Sequence, residues 1–145
     1  MPPQTPKPLH VLVVEDDPDR VARIRGWAPA DVRLNVAVSA GQALGALGRD
    51  GGRTYAALML DHDLQQSALT IADQTLSGSD LVGAIIRNVH RDTPVLVHSM
   101  NPSRAEGMQR RLESASFWVT RVRFAELTRE AWLAWIADAR DLRGE

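Results

Sequence analysis

The chain has 145 residues and a formal net charge of −1, which suits one domain and gives no global field that attracts nucleic acid. Cysteine is absent, which excludes disulfides, thiolate metal sites and cysteine nucleophiles. No stretch approaches the roughly 20 apolar residues of a membrane helix. We therefore expect a cytoplasmic protein with no membrane partner and no direct DNA binding.

The first eight residues, "MPPQTPKP", contain four prolines and no apolar run, which argues against a signal peptide. This segment, 1–8, is predicted to be a disordered or extended tail. Residues 9–143 are predicted to form a single domain.

Short valine-rich runs alternate with longer helical patterns along this domain. The strands are predicted at 9–14, 32–39, 55–60, 94–99 and 117–124. The helices are predicted at 17–28, 40–49, 79–89, 101–114 and 128–142. Five strands separated by helices imply right-handed crossovers, and the predicted fold class is therefore α/β with a doubly wound parallel sheet.

Polar residues collect where the predicted strands end. "EDD" follows the first strand, "DHD" the third and "HSMN" the fourth. Because ligands of doubly wound sheets bind beyond the carboxyl ends of the strands, this edge is the predicted functional site.

Four carboxylates are expected at this edge, from Glu15, Asp16, Asp61 and Asp63. Such a cluster is tolerable only around a cation or with some members protonated. Oxygen ligands without cysteine favour a hard divalent ion, Mg²⁺ first, and a magnesium ion commonly takes phosphate as a further ligand. Asp17, which precedes Pro18, is interpreted as a helix cap.

Two histidines and a serine are further candidates. The Ser99 hydroxyl is placed to donate to a phosphoryl oxygen, or else forms a turn. His62 and His98 either act as a general acid and base or are packed in the core. Strand alternation would turn His98 to the side opposite Ser99.

The remaining candidates are basic or amide side chains. Asn101 is explained as a helix cap, while Arg104 lies where a helix N-terminus attracts anions. Arg121 and Arg123 of the fifth strand are candidate phosphate clamps.

Two features of the chain have open interpretations. The long connection at 64–78 is either a lid over the site or a surface insertion. Trp132 and Trp135 of the last helix either mediate pairing with another chain or pack in the core.

The segments "VLVVEDDPD", "ALMLD", "SGSDLVGAI", "PVLVHS" and "RFAEL", in this order and spacing, resemble the receiver domain of bacterial response regulators over about residues 9–142. The resemblance implies a flavodoxin-like fold with strand order 2-1-3-4-5. It also implies Asp61 as phosphoacceptor, Glu15 and Asp16 as the acidic pair that holds Mg²⁺, and Ser99 as the switch hydroxyl.

The sequence departs from ordinary receivers in three places. "TRVRF" offers arginines where receivers usually have a Lys-Pro pair, and the loop after Asp61 is long. "LDHDL" and "HSMNPSRAEGM" look like a divergent branch, the cyclic-phosphate-processing receivers. That resemblance implies that His62, His98 and Asn101 join the site, with Arg121 a weaker candidate, and that the ligand is a cyclic phosphate or nucleotide-derived molecule.

Three hypotheses of function follow. The first is a signalling module that a sensor kinase phosphorylates on Asp61 and that contacts a downstream protein. The second is a metal-dependent phosphodiesterase-type enzyme acting on cyclic phosphates. The third is a degenerate receiver that only binds a partner protein. Whether the chain is an enzyme stays open at this point.

Overall fold

The computed structural model describes residues 8–50, 54–61, 78–98 and 102–143. The strands are β1 Leu9–Val14, β2 Val32–Ala37, β3 Ala57–Asp61, β4 Val95–His98 and β5 Val119–Arg121. The helices are α1 Pro18–Trp27, α2 Ala40–Asp50, α3 Gly78–Asn88, α4 Pro102–Ser114 and α5 Arg129–Leu142, and a 3-10 turn spans Phe124–Glu126. Residues 1–7 of the predicted tail and 64–77 of the predicted loop lie outside the described residues.

The five strands form one parallel sheet in the order β2-β1-β3-β4-β5. This order confirms the α/β fold class and the flavodoxin-like topology that the sequence predicted. All carboxyl ends of the strands lie on one edge, so residues that follow β1, β3 and β4 meet there.

Each face of the sheet carries its own apolar layer. Alternate residues such as Val13, Met59 and Leu96 pack against α1 and α5. The residues between them, such as Leu60 and Val97, pack against α2, α3 and α4. Because side chains alternate along a strand, these layers identify the face on which each residue at the strand ends lies.

Several element boundaries differ from the predicted ones, and the ends of three strands do so for local reasons. β2 ends at Ala37 because Ser39 caps α2, and its Oγ accepts a hydrogen bond from the backbone N–H of Gln42 at 3.1 Å. β3 continues through Asp61, which pairs with His98 of β4. β5 has three residues, after which the chain turns through the 3-10 helix.

Trp132 and Trp135 belong to the core, which resolves the alternative left open by the sequence. Trp132 is fully buried and Trp135 is 6% exposed. The Trp132 ring lies 6.2 Å from that of Trp27, so α5 is anchored to α1 by aromatic contact. The described helices include none long and apolar enough to cross a membrane.

We expect Trp132→Ala to destabilise the protein by about 3–5 kcal/mol, because the substitution removes a fully buried indole and leaves a cavity. Trp118→Ala is the matched control, since the Trp118 side chain is 51% exposed. Urea unfolding followed by far-UV circular dichroism measures both. Equal losses of stability in the two variants would contradict the expectation that the packing of Trp132 on this face of the sheet stabilises the fold.

Candidate metal and phosphate site

An acidic cluster lies at the carboxyl ends of β1 and β3. Val14 pairs with Leu60 in the parallel register, so the next residues, Glu15 and Asp61, come side by side. Both carboxylates are buried, at 0% and 1% exposure, while Asp16 is half-buried. One ligand atom from each of these acids lies within 4.8 Å of the others. The register of the strands thus assembles the predicted cluster.

The Glu15 carboxylate is held through both oxygens. Its Oε2 accepts hydrogen bonds from the backbone N–H groups of Asp16 and Asp17, at 2.9 and 3.1 Å. Its Oε1 lies 3.5 Å from Arg20 Nη1 and 3.7 Å from His98 Nδ1. Glu15 is therefore the point at which β1, α1 and β4 meet.

Burial raises the pKa of Glu15 from 4.5 to about 8. A hydrogen bond with Asp61 and the charge of Asp61 push this pKa in the same direction, because both favour the protonated form of Glu15. The N–H of Asp17 and the charge of Arg20 oppose the shift. Burial and the neighbouring Asp61 thus favour a proton on Glu15, and a cation bound between the two carboxylates would displace it.

The donor set fits a magnesium ion. Among the described residues it consists of carboxylate oxygens, and burial together with the neighbouring Asp61 raises the pKa of Glu15. Hard divalent cations prefer such oxygen ligands, and a positive charge here would remove the repulsion. Glu15, Asp16 and Asp61 are the described residues that would hold it.

His98 lies on the same side of the sheet as the carboxylates. It pairs with Asp61 across β3 and β4, and paired residues of parallel strands share a face. Its imidazole is fully buried, beside Glu15 on one side and 5.5 Å from the ring of Phe124 on the other. The prediction that strand alternation turns His98 to the side opposite Ser99 stays a prediction, because Ser99 lies outside the described residues, but the pairing of β3 with β4 places His98 on the face that carries Asp61.

Arg20 is a member of the site that the sequence analysis missed. Besides its contact with Glu15, its guanidinium lies 5.2 Å above the ring of Phe124, and its Nε is 3.8 Å from Asp17 Oδ2. A cation in the first turn of a helix opposes the helix dipole, and this irregularity was a signal in the sequence. The Phe124 ring, in the 3-10 turn after β5, fixes the cation in place.

Arg121 lies toward the other face of the sheet. It pairs with Val97, whose side chain belongs to the layer of α2, α3 and α4, and the next residue, Val122, packs on the carboxylate side. The strand register therefore gives no support to Arg121 as a phosphate clamp, and this role stays a prediction. Arg123 is exposed and precedes the 3-10 turn.

Other predicted site residues are outside the described part of the chain. These are His62, Asp63, Ser99 and Asn101, and their roles stay predictions. Asp17 is confirmed as the cap of α1, since its side chain accepts hydrogen bonds from the backbone N–H groups of Asp19 and Arg20.

Solved structures of receiver domains share this fold. A CheY-like response regulator receiver domain from Methanospirillum hungatei aligns with a TM-score of 0.68 and 11% identity, over 95% of this chain and 98% of its own. The receiver domain of a sensor histidine kinase from Pseudomonas aeruginosa, which has a magnesium ion coordinated in its active-site cleft, aligns with a TM-score of 0.62 and 19% identity, over 95% and 99% of the two chains.

A signal receiver domain from Vibrio parahaemolyticus aligns with a TM-score of 0.64 and 13% identity, over 94% of this chain and 93% of its own. No curated protein sequence matches the chain. The family model for the cyclic-phosphate processing receiver domain matches residues 11–114, which include most of β1, all of β2 to β4 and the acidic cluster. The chain thus belongs to the family of cyclic-phosphate processing receiver domains.

Proposed function

We propose that this protein is a magnesium-dependent receiver in which Asp61 accepts a phosphoryl group. The observation that carries the proposal is the buried pair of Glu15 and Asp61, joined by Asp16 within 4.8 Å, at the carboxyl edge of the sheet. The magnesium-bound receiver of the Pseudomonas aeruginosa kinase supports it, since that domain has the same fold. A sensor kinase as phosphoryl donor, a downstream protein as target and a cytoplasmic location of this chain complete the proposal.

The two buried carboxylates of the site have separate tasks in this chemistry. When bound, Mg²⁺ supplies positive charge to the carboxylates and to the oxygens of the incoming phosphate. A carboxylate oxygen of Asp61 attacks phosphorus, the bond from phosphorus to the donor breaks, and the donor leaves with the electron pair. Glu15 keeps its orientation through two backbone N–H groups, and β3 presents Asp61 from a rigid strand.

A second candidate function is a metal-dependent enzyme that opens or hydrolyses cyclic phosphates. The buried imidazole of His98, on the carboxylate side and 3.7 Å from Glu15, favours it, because a phosphoacceptor site needs no such group. The ring has no exposed surface, so its proton would act through Glu15 and not directly on a substrate. The description of the family as cyclic-phosphate processing points to the same substrate class.

In metal-free protein, stability should fall as pH rises from about 5 to 8.5. The unfolded Glu15 has a pKa near 4.5 and the folded one about 8, so folding retains a proton that the unfolded chain releases. This contribution is fully present below pH 4.5 and is lost as pH passes 8. The contribution of Glu15 to stability is on the order of a few kcal/mol. Urea unfolding in the presence of a chelator measures it.

Glu15→Gln should flatten this pH dependence, while Glu113→Gln, at an exposed glutamate of α4, should leave it unchanged. Added Mg²⁺ should stabilise the wild-type protein more at pH 8.5 than at pH 5, because the metal and the proton compete for the same oxygens. A fall in stability that is equally steep in Glu15→Gln would assign the pH dependence to other groups.

Incubation with Mg²⁺ and a small acyl phosphate should give a single phosphoryl adduct in the intact mass spectrum. Asp61→Asn should abolish the adduct, because the amide is not a nucleophile, and a chelator should prevent it. Asp138→Asn, at an exposed position of α5, is the control.

In metal-free buffer Asp61→Asn should also be more stable than wild type, since it removes the charge that repels Glu15.

Turnover of cyclic nucleotides and of RNA 2′,3′-cyclic phosphates separates the two functions. An adduct on Asp61 without any turnover would eliminate the enzyme, whereas turnover that disappears in both His98→Ala and Asp61→Asn would eliminate the pure phosphoacceptor. If neither assay responds, the hypothesis of a degenerate receiver that only binds a partner protein survives.

A further inference from the structure

Phosphate at this site needs more positive charge than a magnesium ion supplies. Glu15 and Asp16 contribute two negative charges, and a phosphoryl group on Asp61 contributes about two more. A divalent cation balances half of this total. Carboxylates and phosphate held together with such an excess repel one another, so a further cation is required near the phosphate oxygens.

In the register of β5, all of whose residues the structure describes, no basic residue shares the carboxylate face. Its arginine, Arg121, pairs with Val97 and therefore shares the face of Val97. Val122 follows on the carboxylate side and is packed with the apolar residues there.

Arg20 of α1 has the position that the charge balance requires. Its Nη1 is 3.5 Å from Glu15 Oε1, and the ligand atoms of Glu15 and Asp61 lie within 4.8 Å of each other. The Arg20 side chain contacts Glu15 through its guanidinium and is 24% exposed, so it lies between the site and solvent. Stacking on Phe124 restricts its orientation without using its N–H groups.

We propose that Arg20 binds the phosphate at Asp61, donating hydrogen bonds from its guanidinium to phosphate oxygens, and thereby acts as the site's anion-binding residue. The inference rests on the proposed function, because it assumes that phosphate binds beside the metal. In the phosphate-free state Arg20 contacts Glu15 instead, and a change of side-chain rotamer transfers it from carboxylate to phosphate. Recognition of phosphate by Arg20 applies equally to a phosphoryl group and to a cyclic phosphate.

Arg20→Gln tests the proposal, with Mg²⁺ alone and Mg²⁺ plus beryllium trifluoride, a phosphoryl mimic, as the two probes. We expect Mg²⁺ affinity within about threefold of wild type, because a guanidinium does not ligate a metal. We expect the affinity of the Mg²⁺-saturated protein for beryllium trifluoride to fall about tenfold or more, the usual effect of losing a hydrogen bond between charged groups. Calorimetric titration measures both affinities.

Arg23→Gln is the matched control, since Arg23 lies on the same helix and its guanidinium is 5.7 Å from the same Phe124 ring. It should bind both probes like wild type. Arg20→Lys should recover part of the affinity for the mimic, because it keeps the charge but not the planar, two-pronged donor. Urea unfolding of each variant measures what the substitution costs the fold.

The outcomes separate this inference from the proposed function. If Arg20→Gln binds the mimic as tightly as wild type, or loses Mg²⁺ and mimic affinity in equal proportion, Arg20 is not an anion-binding residue. If wild type binds Mg²⁺ but no beryllium trifluoride, and Asp61→Asn behaves identically, the phosphoacceptor function itself is overturned and this inference with it.

Discussion

The repulsion between Glu15 and Asp61 is the constraint on which the rest of the site depends. The parallel register of β1 and β3 places these buried carboxylates side by side, and neither strand can slip without moving a whole apolar layer to the wrong face. The fold therefore cannot separate the charges and must compensate them. Two backbone N–H groups, Arg20 and His98 all converge on Glu15. A site of this kind trades stability for the capacity to bind a cation.

The fold and the acidic cluster could be predicted from the sequence because both follow from short-range pattern. Continuous apolar runs such as residues 9–14 are typical of strands buried on both faces, and helical segments between them leave a parallel sheet as the consistent arrangement. Acids directly after two of these runs must then lie at the same edge. The position of Asp61 could be predicted without any knowledge of side-chain packing, because it follows from where the strand ends.

The face of His98 and of Arg121 could not be predicted, because it depends on register between strands. Alternation within β4 relates His98 to Ser99, but only the pairing of Asp61 with His98 relates it to the carboxylates. The same holds for Arg121, which the pairing with Val97 assigns to the opposite layer. Arg20 was missed for another reason: its contact with Glu15 joins a helix to a strand end, and only its unfavourable position against the α1 dipole marked it in the sequence.

The ring of Phe124 explains how helix α1 can present the guanidinium of Arg20 to the site. This ring contacts the guanidiniums of Arg20 and Arg23, the imidazole of His98 and the indole of Trp27. A long arginine side chain loses rotamer freedom whenever it binds an anion, and that loss weakens binding. Stacking on a buried ring removes much of this freedom beforehand. Since Trp27 and Trp132 hold the ring and α1 together, the apolar packing of α1 and α5 determines where the positive charge of the site lies.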